Sequence, residues 1–362
     1  MPVQHDNLFD QIASFPALYA ASAKAIRGKR RKPGAAAFMA NLERELLRIC
    51  RELRDGSWRP GRYTVIDVQD PKPRRVSAAP FRDRVVHHAL CSVIAPIFEH
   101  GFIHDSYANR AGKGSHAAIA KYERFRDRHA HVLRADIYRY LPAIDHAALK
   151  QSYRRRIARP RTLCLMDAIV DGSNEQEPVE VFFPGDGLFS VATRRRGLPI
   201  GNLTSQFFSN VYLDGFDHFV KEMLRAPYVR YVDDFALFDD DASRLAHWQA
   251  RIATYLTGRR LLLHPRKTQI VPSSAPSTFL GLELHAGGWR RLPPENVDRF
   301  AHRLRAMRTQ WRQGKIDAAD VRARVQGWAA HAAHAHTLGL RHTLFRDGWF
   351  DPLWKSGEAV IA

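Results

Sequence analysis

The segment YVRYVDDFALF, residues 228–238, places two adjacent acids between two apolar runs. Tyr, Val and Phe favour strands, so the segment predicts a β-hairpin with Asp233 and Asp234 at its tip. Two carboxylates held close together repel each other unless a cation neutralises them, so the hairpin predicts a metal site. Most Asp-Asp pairs are solvated turns, and the acidic run at residues 239–241 is interpreted in that way.

A third acid ends another short apolar run. The segment HVLRAD, residues 131–136, predicts a central strand that delivers Asp136 at its end. Magnesium prefers oxygen ligands and keeps several waters or phosphate oxygens. Three carboxylates without His or Cys therefore form the kind of set that a phosphoryl-transfer site needs.

The composition points to a nucleic-acid partner. The 362 residues are 45% hydrophobic and 26% charged, which excludes disorder over most of the chain. Lys and Arg number 56 against 37 Asp and Glu, and the net charge of +19 concentrates polyanions. The three cysteines form no CxxC pair, so neither a disulfide framework nor a thiolate zinc cage is expected, and a cytoplasmic setting follows. Neither export nor a membrane span is indicated.

Several segments together resemble one family, the reverse transcriptases. RYVDDFALF resembles their YxDD hairpin, and LRADIYRYLPAIDH resembles their first metal-binding motif. GLPIGNLTSQFFSN resembles the motif that cradles the incoming nucleotide. HPRKTQI resembles the lysine motif, FLGLEL the primer-grip turn, and PKPRRVSAAPFRDRVVHHAL with SYANRAGKGSHAA the fingers motifs. These segments follow the order of the family across residues 60–285, so the joint signal is far more specific than any single motif.

The resemblance implies a role for each matching residue. Asp136 and Asp233 would bind two Mg²⁺ ions, for which Mn²⁺ is a possible substitute, with Asp234 and the carbonyl of Ile137 completing the set. Lys267 would neutralise or protonate the pyrophosphate leaving group, which makes it the fourth candidate catalytic residue. The expected nucleotide-binding residues are Lys72, Arg74, Arg75, Tyr140, Leu141, Ile200, Gly201, Ser205 and Gln206. The expected primer grip is Phe279, Leu280 and Gly281.

Two departures from the family pattern affect substrate selection. Ile200 stands where the family usually has glutamine, and an aliphatic residue there is expected to discriminate less. The form I-G-x-x-x-S-Q resembles the reverse transcriptases of diversity-generating retroelements, related to group II intron enzymes, whose copying is error-prone at template adenines. Leu141 stands where an aromatic residue commonly blocks a ribose 2′-hydroxyl. Tyr140 is the alternative for that role, and the sequence does not decide between them.

The expected fold is an α+β right hand with fingers, an antiparallel palm sheet and a helical thumb. The predicted boundaries are 1–60 for a basic helical extension, 61–125 for the fingers, 126–291 for the palm and 292–362 for the thumb, with an insertion at 171–196 in the palm. The candidate nucleic-acid contacts are Arg30, Arg31, Arg303 and Arg308. His331 and His334 lie three apart on a predicted helix, where closing the thumb core with Trp328 is favoured over binding zinc.

We therefore expect an RNA-directed DNA polymerase that copies a structured template RNA into cDNA in a diversity-generating retroelement. Its expected partners are template RNA, the cDNA or primer, dNTPs and a small basic accessory protein. One alternative is a stand-alone bacterial reverse transcriptase used in antiphage defence. Another is an RNA-binding scaffold with a decayed polymerase core, which does not explain three intact acids at the expected places.

Overall fold

The computed structural model describes residues 7–69, 73–174 and 181–346. Four helices open the chain: α1 (Leu8–Ile12), α2 (Phe15–Ala25), α3 (Pro33–Ala40) and α4 (Leu42–Arg54). Ser14 caps α2, because its hydroxyl accepts a hydrogen bond from the Ala17 N–H at 3.3 Å. The apolar faces of these helices belong to the same hydrophobic core as the palm. Arg30 and Arg31 lie in the exposed turn between α2 and α3.

The next segment contains a β-hairpin and two helices: β1 (Thr64–Val68), β2 (Arg74–Ala78), α5 (Phe81–Glu99) and α6 (Ser115–Arg126). The alternating sequence around β1 predicts a half-buried strand, and that prediction is wrong. All five residues of β1 are exposed, and the hairpin forms a separate two-stranded sheet. The sequence predicts that Pro96 breaks or bends α5; Pro96 lies in the last turn of the helix, which continues through it to Glu99.

The central sheet has four antiparallel strands in the order β4-β5-β3-β6. They are β3 (His131–Asp136), β4 (Tyr228–Tyr231), β5 (Asp234–Asp239) and β6 (Gln269–Pro272). The helices of this region are α7 (Tyr140–Ala143), α8 (His146–Arg154), α9 (Pro160–Asp171), α10 (Ser190–Thr193), α11 (Leu203–His218) and α12 (Ala242–Gly258). A π-helical turn, Phe219–Met223, continues α11. Helix α12 packs on β3, β5 and β6, while α11 packs on α5 and α8.

The expected insertion at 171–196 begins at the last residue of α9. Its residues 181–196 form a loop that contains the short helix α10 and is held by ion pairs. Asp186 lies at its centre. One carboxylate oxygen accepts a hydrogen bond from the Phe183 N–H at 2.7 Å, and the other accepts one from Arg260 Nη1 at 2.5 Å. Arg194 forms a further ion pair with Asp186. The acid therefore ties the loop to the residues that follow α12.

A small sheet connects the palm to a helical C-terminal region. Its strands are β7 (Ser277–Phe279), β8 (Leu282–Leu284) and β9 (Arg290–Arg291), and a 3₁₀ turn, Ala286–Gly288, lies between the last two. The helices are α13 (Pro294–Arg312), α14 (Ala318–Ala332) and α15 (Leu338–Phe345). Phe300 on α13 stacks on Trp328 of α14 with ring centroids 3.9 Å apart. This contact closes a local apolar cluster, as predicted for Trp328.

The mixed helices and antiparallel sheets form the α+β architecture expected from the sequence. Within the described ranges, no helix has both the length and the apolar character needed to cross a membrane.

Candidate active site

Three carboxylates meet at one end of the central sheet. Asp136 ends β3 and Asp234 begins β5, and the two residues are direct cross-strand partners. Asp233 lies in the turn between β4 and β5, where its carbonyl accepts a hydrogen bond from the Ile137 N–H at 3.2 Å. The carbonyl of Asp136 accepts another from the His264 N–H at 2.7 Å. The backbone therefore fixes the positions of the acids that the sequence singled out.

Val232, just before the acids, has φ of +58°. A β-branched residue rarely adopts this conformation, so the turn needs support from its surroundings. Arg230 supplies it, since its Nη1 donates to the Val232 carbonyl at 2.9 Å. The guanidinium is buried and also donates to Asp217 and to the Ser106 hydroxyl. Sequence reasoning missed this residue, although a lone arginine inside the apolar run YVRYV was a signal.

The acids are electrostatically strained. Burial, followed by repulsion from Asp136, raises the pKa of Asp233 to about 6. Burial raises the pKa of Asp234 as well, with the charges of Asp233 and Asp136 adding to the effect. Carboxylates whose ionised forms are so disfavoured are stabilised by a cation.

Lys267 supplies a positive charge at this site. Its Nζ lies 2.7 Å from Asp136 Oδ2, and its side chain is half exposed while that of Asp136 is buried. The lysine expected from the HPRKTQI segment is therefore brought into direct contact with the acids. Because the Lys267 side chain is half exposed, its ammonium can turn from Asp136 towards an anion bound beside it.

The donor set fits a divalent metal ion of the hard, oxygen-binding kind. In the part of the chain that the structure describes, no group of three or more His, Cys, Asp or Glu side chains is already placed to hold a metal ion, so the three acids are not a preformed site. An open set is what magnesium accepts, because the ion retains water and phosphate oxygens as ligands. Asp136, Asp233 and Asp234 would hold such an ion, and the carbonyl of Ile137 lies next to them in sequence.

The expected nucleotide-binding loop lies against the fingers hairpin. The Ile200 carbonyl accepts a hydrogen bond from the Ser77 N–H at 2.9 Å, and Gly201 has φ of +104°. Ser205 is buried in the first turn of α11, whereas Gln206 is exposed. Leu141 joins this loop through its carbonyl, which accepts a hydrogen bond from the Leu198 N–H at 2.9 Å.

Tyr140 does not fit the role that the sequence left open for it. Its side chain is buried at 2% exposure, and its hydroxyl donates to the Ser209 carbonyl at 2.5 Å. The ring fills the core between α7 and α11, so neither ring nor hydroxyl is offered to a nucleotide. Of the two candidates for contact with the sugar, the structure leaves Leu141, which is half buried.

The three cations expected to bind nucleotide phosphates from the fingers hairpin differ in their surroundings. Arg74 is exposed on β2 and lies near enough to Asp233 for its charge to lower the pKa of that acid, against the larger effects of burial and Asp136. Arg75 instead faces Asp67 across the hairpin, with Nε 3.7 Å from Oδ1, which gives it a partner away from the acids. Lys72 lies outside the described residues.

The expected primer-grip turn joins β7 to β8. Phe279 stacks on Tyr122 of α6 with centroids 4.7 Å apart, and Leu280 and Gly281 both have positive φ. A Cβ on Gly281 would lie 4.0 Å from the ring of His331 on α14. The turn is therefore held between α6 and the C-terminal helices.

The remaining candidates lie on or near the C-terminal helices. Arg303 is exposed on α13, and Arg308 on the same helix is half buried. His334 stacks on His116 with centroids 3.4 Å apart.

Comparison with known proteins identifies the family. Residues 67–284 match the family model described as "Reverse transcriptase (RNA-dependent DNA polymerase)", which covers more than half of the chain. The chain belongs to the reverse transcriptase family. Such enzymes are RNA-directed DNA polymerases, that is nucleotidyltransferases, and reverse transcriptase domains generally use divalent metal ions.

One curated relative of this reverse transcriptase is the protein YkfC of Escherichia coli (strain K12). The two are 29% identical over 192 residues, which is 51% of this chain and 48% of YkfC. The matched segment thus spans about half the length of the relative.

Two solved structures are similar to this reverse transcriptase at low identity. The apo telomerase of Candida tropicalis, truncated from the C-terminal domain, is 11% identical with a TM-score of 0.45, over 64% of this chain and 55% of that one. The telomerase of Candida albicans in complex with a fragment of telomeric RNA is 12% identical with a TM-score of 0.42, over 65% and 45%.

Proposed function

We propose that this reverse transcriptase copies a structured template RNA into cDNA within a diversity-generating retroelement. The observation that carries the proposal is the meeting of Asp136, Asp233 and Asp234 at one sheet end, with Lys267 in contact with Asp136. Phosphoryl transfer needs this combination of carboxylates and a cation near the leaving group.

Asp136 and Asp233 are the residues proposed to hold two Mg²⁺ ions, with Asp234 and the Ile137 carbonyl beside them. Bound Mg²⁺ would supply a more nucleophilic primer 3′-hydroxyl and a counter-charge for the triphosphate. Two cations of the protein act on the phosphates of the nucleotide. Arg74 binds its phosphates, and Lys267 leaves Asp136 to neutralise or protonate the departing pyrophosphate.

The selection of the base is proposed to be loose because Ile200 offers no polar side chain. Rejection of a wrong substrate is strongest when it leaves polar groups of the site unpaired. The only polar groups of Ile200 are those of its backbone, and its carbonyl already accepts a hydrogen bond from the Ser77 N–H. This supports a mutagenic enzyme and hence the diversity-generating subtype.

The partners follow from the charge distribution. The net charge of +19 suits a large RNA, and the arginines at 30, 31 and 303 are exposed, where phosphates of the RNA can reach them. The exposed turn with Arg30 and Arg31 is also proposed as the docking surface of the small basic accessory protein, although like charges would then have to be bridged by RNA. Reversing both charges should weaken assembly of the complex.

The test is dNTP incorporation by the purified protein with Mg²⁺ and RNA from its own locus, followed by sequencing of the cDNA. Asp233→Asn is the inactive variant, and Asp240→Asn is the matched control, since Asp240 is an exposed acid in the run 239–241. Errors concentrated opposite template adenines support the diversity-generating proposal. Accurate or untemplated DNA would favour the defence function instead. If the protein makes no DNA with any RNA or partner, the RNA-binding scaffold becomes the favoured interpretation.

A further inference from the structure

Asn202 immediately precedes α11, in an extended conformation with φ of −107° and ψ of 144°. At such a position asparagine ordinarily caps the helix by accepting a hydrogen bond from a backbone N–H in the first turn. Here the side chain makes no such cap. Its Nδ2 donates to the Ser77 carbonyl at 2.8 Å, and its Oδ1 accepts from the Ala79 N–H at 3.4 Å. The side chain thus binds the fingers hairpin at a cost in stability to its own helix.

The backbone on either side of Asn202 strengthens this connection. The Ser77 N–H donates to the Ile200 carbonyl at 2.9 Å, so the turn at residues 200–202 lies against the end of β2. Gly201 permits the close approach, because a Cβ there would lie 2.8 Å from Val76 Cγ1. Asn202 and Ser77 are both buried, at 3% and 0% exposure. We call this set of contacts, between residues 200–202 and 76–79, the fingers latch.

Contacts at the end of β2 hold the hairpin: the fingers latch, together with a hydrogen bond from Asn174 Nδ2 to the Ser77 hydroxyl at 3.0 Å. The hairpin is a two-stranded sheet, and all five residues of β1 are exposed. A two-stranded hairpin is marginally stable at best in water. Its position relative to the palm therefore depends on the buried end of β2.

The position of the hairpin matters for the acids. Arg74 lies three residues before Ser77 on β2, about 10 Å along the strand. Arg74 is exposed on β2, the strand whose far end the fingers latch holds. The latch thus sets how far Arg74 stands from the catalytic end of the sheet.

We propose that Asn202 is a positioning residue that holds the fingers hairpin against the nucleotide-binding loop, so that Arg74 and the Ile200 backbone keep the spacing a deoxynucleoside triphosphate requires. The inference rests on the proposed polymerase function. Asn202 touches neither the acids nor the reacting phosphate. It therefore governs nucleotide binding, measured by the KM for dNTP, and leaves the bond-forming step, measured by kcat, almost unchanged.

Asn202→Asp is the informative substitution. It keeps the shape and the acceptor for Ala79 but removes the donor to Ser77 and sets a carboxylate against that carbonyl. Aspartate is also a favoured cap and suits the positive end of the helix, so rotation onto α11 compensates the fold. Asn41→Asp is the matched control, because the Asn41 amide donates to the Ala37 carbonyl at an exposed site between N-terminal helices.

Two measurements test the proposal on the full chain: steady-state dNTP incorporation and amide hydrogen exchange of the protein without substrates. For Asn202→Asp we expect the KM for dNTP to rise by about tenfold, the size of effect that a lost hydrogen bond gives. The kcat should stay within about threefold. The Ser77 and Ala79 amides should exchange about tenfold faster. The melting temperature should change by no more than a few degrees, and Asn41→Asp should match the wild type in every respect.

A fall in kcat at unchanged KM, or a general loss of melting temperature with both constants affected, would overturn the proposal in favour of a merely structural role. Unchanged exchange at Ser77 and Ala79 would also overturn it. A wild-type protein that incorporates no nucleotide contradicts the proposed function. Because exchange is measured without catalysis, that failure is distinguished from a failure of the latch.

Discussion

Arg230 and Asp217 form a fully buried ion pair directly beneath the catalytic turn. Arg230 Nη2 lies 2.6 Å from Asp217 Oδ2, and the two side chains are 1% and 0% exposed. The Tyr228 hydroxyl donates to the same carboxylate at 2.8 Å. Since Arg230 also bonds the carbonyl of Val232, the pair connects α11 to the strained residue that precedes Asp233. The Arg230–Asp217 pair therefore positions the turn that carries the acids through the backbone of Val232.

The first prediction separates the structural and positioning effects of this pair. Removing one partner by Asp217→Asn leaves the other charge buried, and should destabilise the fold by about 3–5 kcal/mol. The double variant Arg230→Met with Asp217→Leu should recover most of that stability, because apolar pairs often replace buried ion pairs at little cost. Its kcat should still be at least about tenfold below the wild type, since Val232 loses its support. Urea unfolding and nucleotide incorporation measure the two effects. Full recovery of kcat would show that Arg230 does not position the turn.

The second prediction concerns the stability of the metal-free protein. Burial and like charge raise the pKa of Asp233 to about 6, above its value in the unfolded chain. The folded state therefore binds more protons, and stability falls as pH rises from about 4, the ordinary value for aspartate, towards 6. Asp233→Asn should reduce this slope, of which the raised pKa of Asp234 keeps a part, and should stabilise the metal-free protein at pH 7 by about 1 kcal/mol, while abolishing activity.

Thermal unfolding in EDTA across this pH range measures that effect. Asp240→Asn, at an exposed acid, serves as the control and should leave the slope intact. Added Mg²⁺ should raise the melting temperature of the wild type more than that of Asp233→Asn. A less stable Asp233→Asn protein at pH 7 would contradict the account.

The third prediction concerns Lys267, which pairs with Asp136 at 2.7 Å. Lys267→Met should lower kcat by about 10²-fold or more, the range of a lost proton donor, with little change in the KM for dNTP. The same change frees Asp136, so Mn²⁺ followed by electron paramagnetic resonance should bind the substrate-free variant several-fold more tightly. Arg266→Met is the neighbouring control, because Arg266 is exposed. Weaker Mn²⁺ binding by Lys267→Met would show that the lysine does not compete for the acid.

The fourth prediction concerns fidelity. Ile200→Gln restores a polar side chain to a loop whose carbonyl is already used by Ser77. Misincorporation opposite template adenine should fall by about tenfold, which is less than the discrimination that a site built to hydrogen-bond its substrate can reach. Correct incorporation should change little. Ile200→Leu, which keeps an aliphatic side chain, is the control. An unchanged error spectrum in Ile200→Gln would place the source of errors elsewhere.

The fifth prediction concerns sugar selection at Leu141. Leu141→Phe adds bulk at the half-buried position that remains once Tyr140 is assigned to the core. The preference for dATP over ATP, measured as a ratio of kcat/KM values, should rise by about tenfold. Tyr140→Phe removes only the hydroxyl bonded to Ser209, and should leave that ratio unchanged. A ratio that responds to Tyr140→Phe and not to Leu141→Phe would reverse the assignment.

The sequence predicted those parts of the site whose residues are neighbours in the chain. Asp233 and Asp234 lie between strand-forming runs, and both strands form with the acids at the expected end of the sheet. Asp136 ends its own strand, and the register that pairs it with Asp234 follows from the apolar pattern of the two strands. The start of α13 at Pro294 was likewise readable from its prolines and early acid.

The rest depended on contacts between distant segments. Arg230 and Asp217 lie on different elements, and only the packing of α11 under the sheet makes them a pair. The Asn202 side chain, at the start of α11, binds the end of β2 and does not cap its helix. Tyr140 and Leu141 are adjacent, and the sequence could not tell which one the core would bury. The alternating pattern of β1 predicted a half-buried strand, yet all five of its residues are exposed in the structure.

The most direct test of the central claim is single-nucleotide incorporation on an RNA template under single-turnover conditions. Wild-type protein, Asp136→Asn and the exposed control Asp240→Asn are compared with Mg²⁺ and a labelled primer. The account predicts template-dependent addition of the complementary dNTP by the wild type and the control. The rate of addition by Asp136→Asn should be at least about 10³-fold lower, the size of effect expected when a group that stabilises charge in the transition state is removed. Equal rates for wild type and Asp136→Asn would contradict the assignment of the reaction to the three carboxylates.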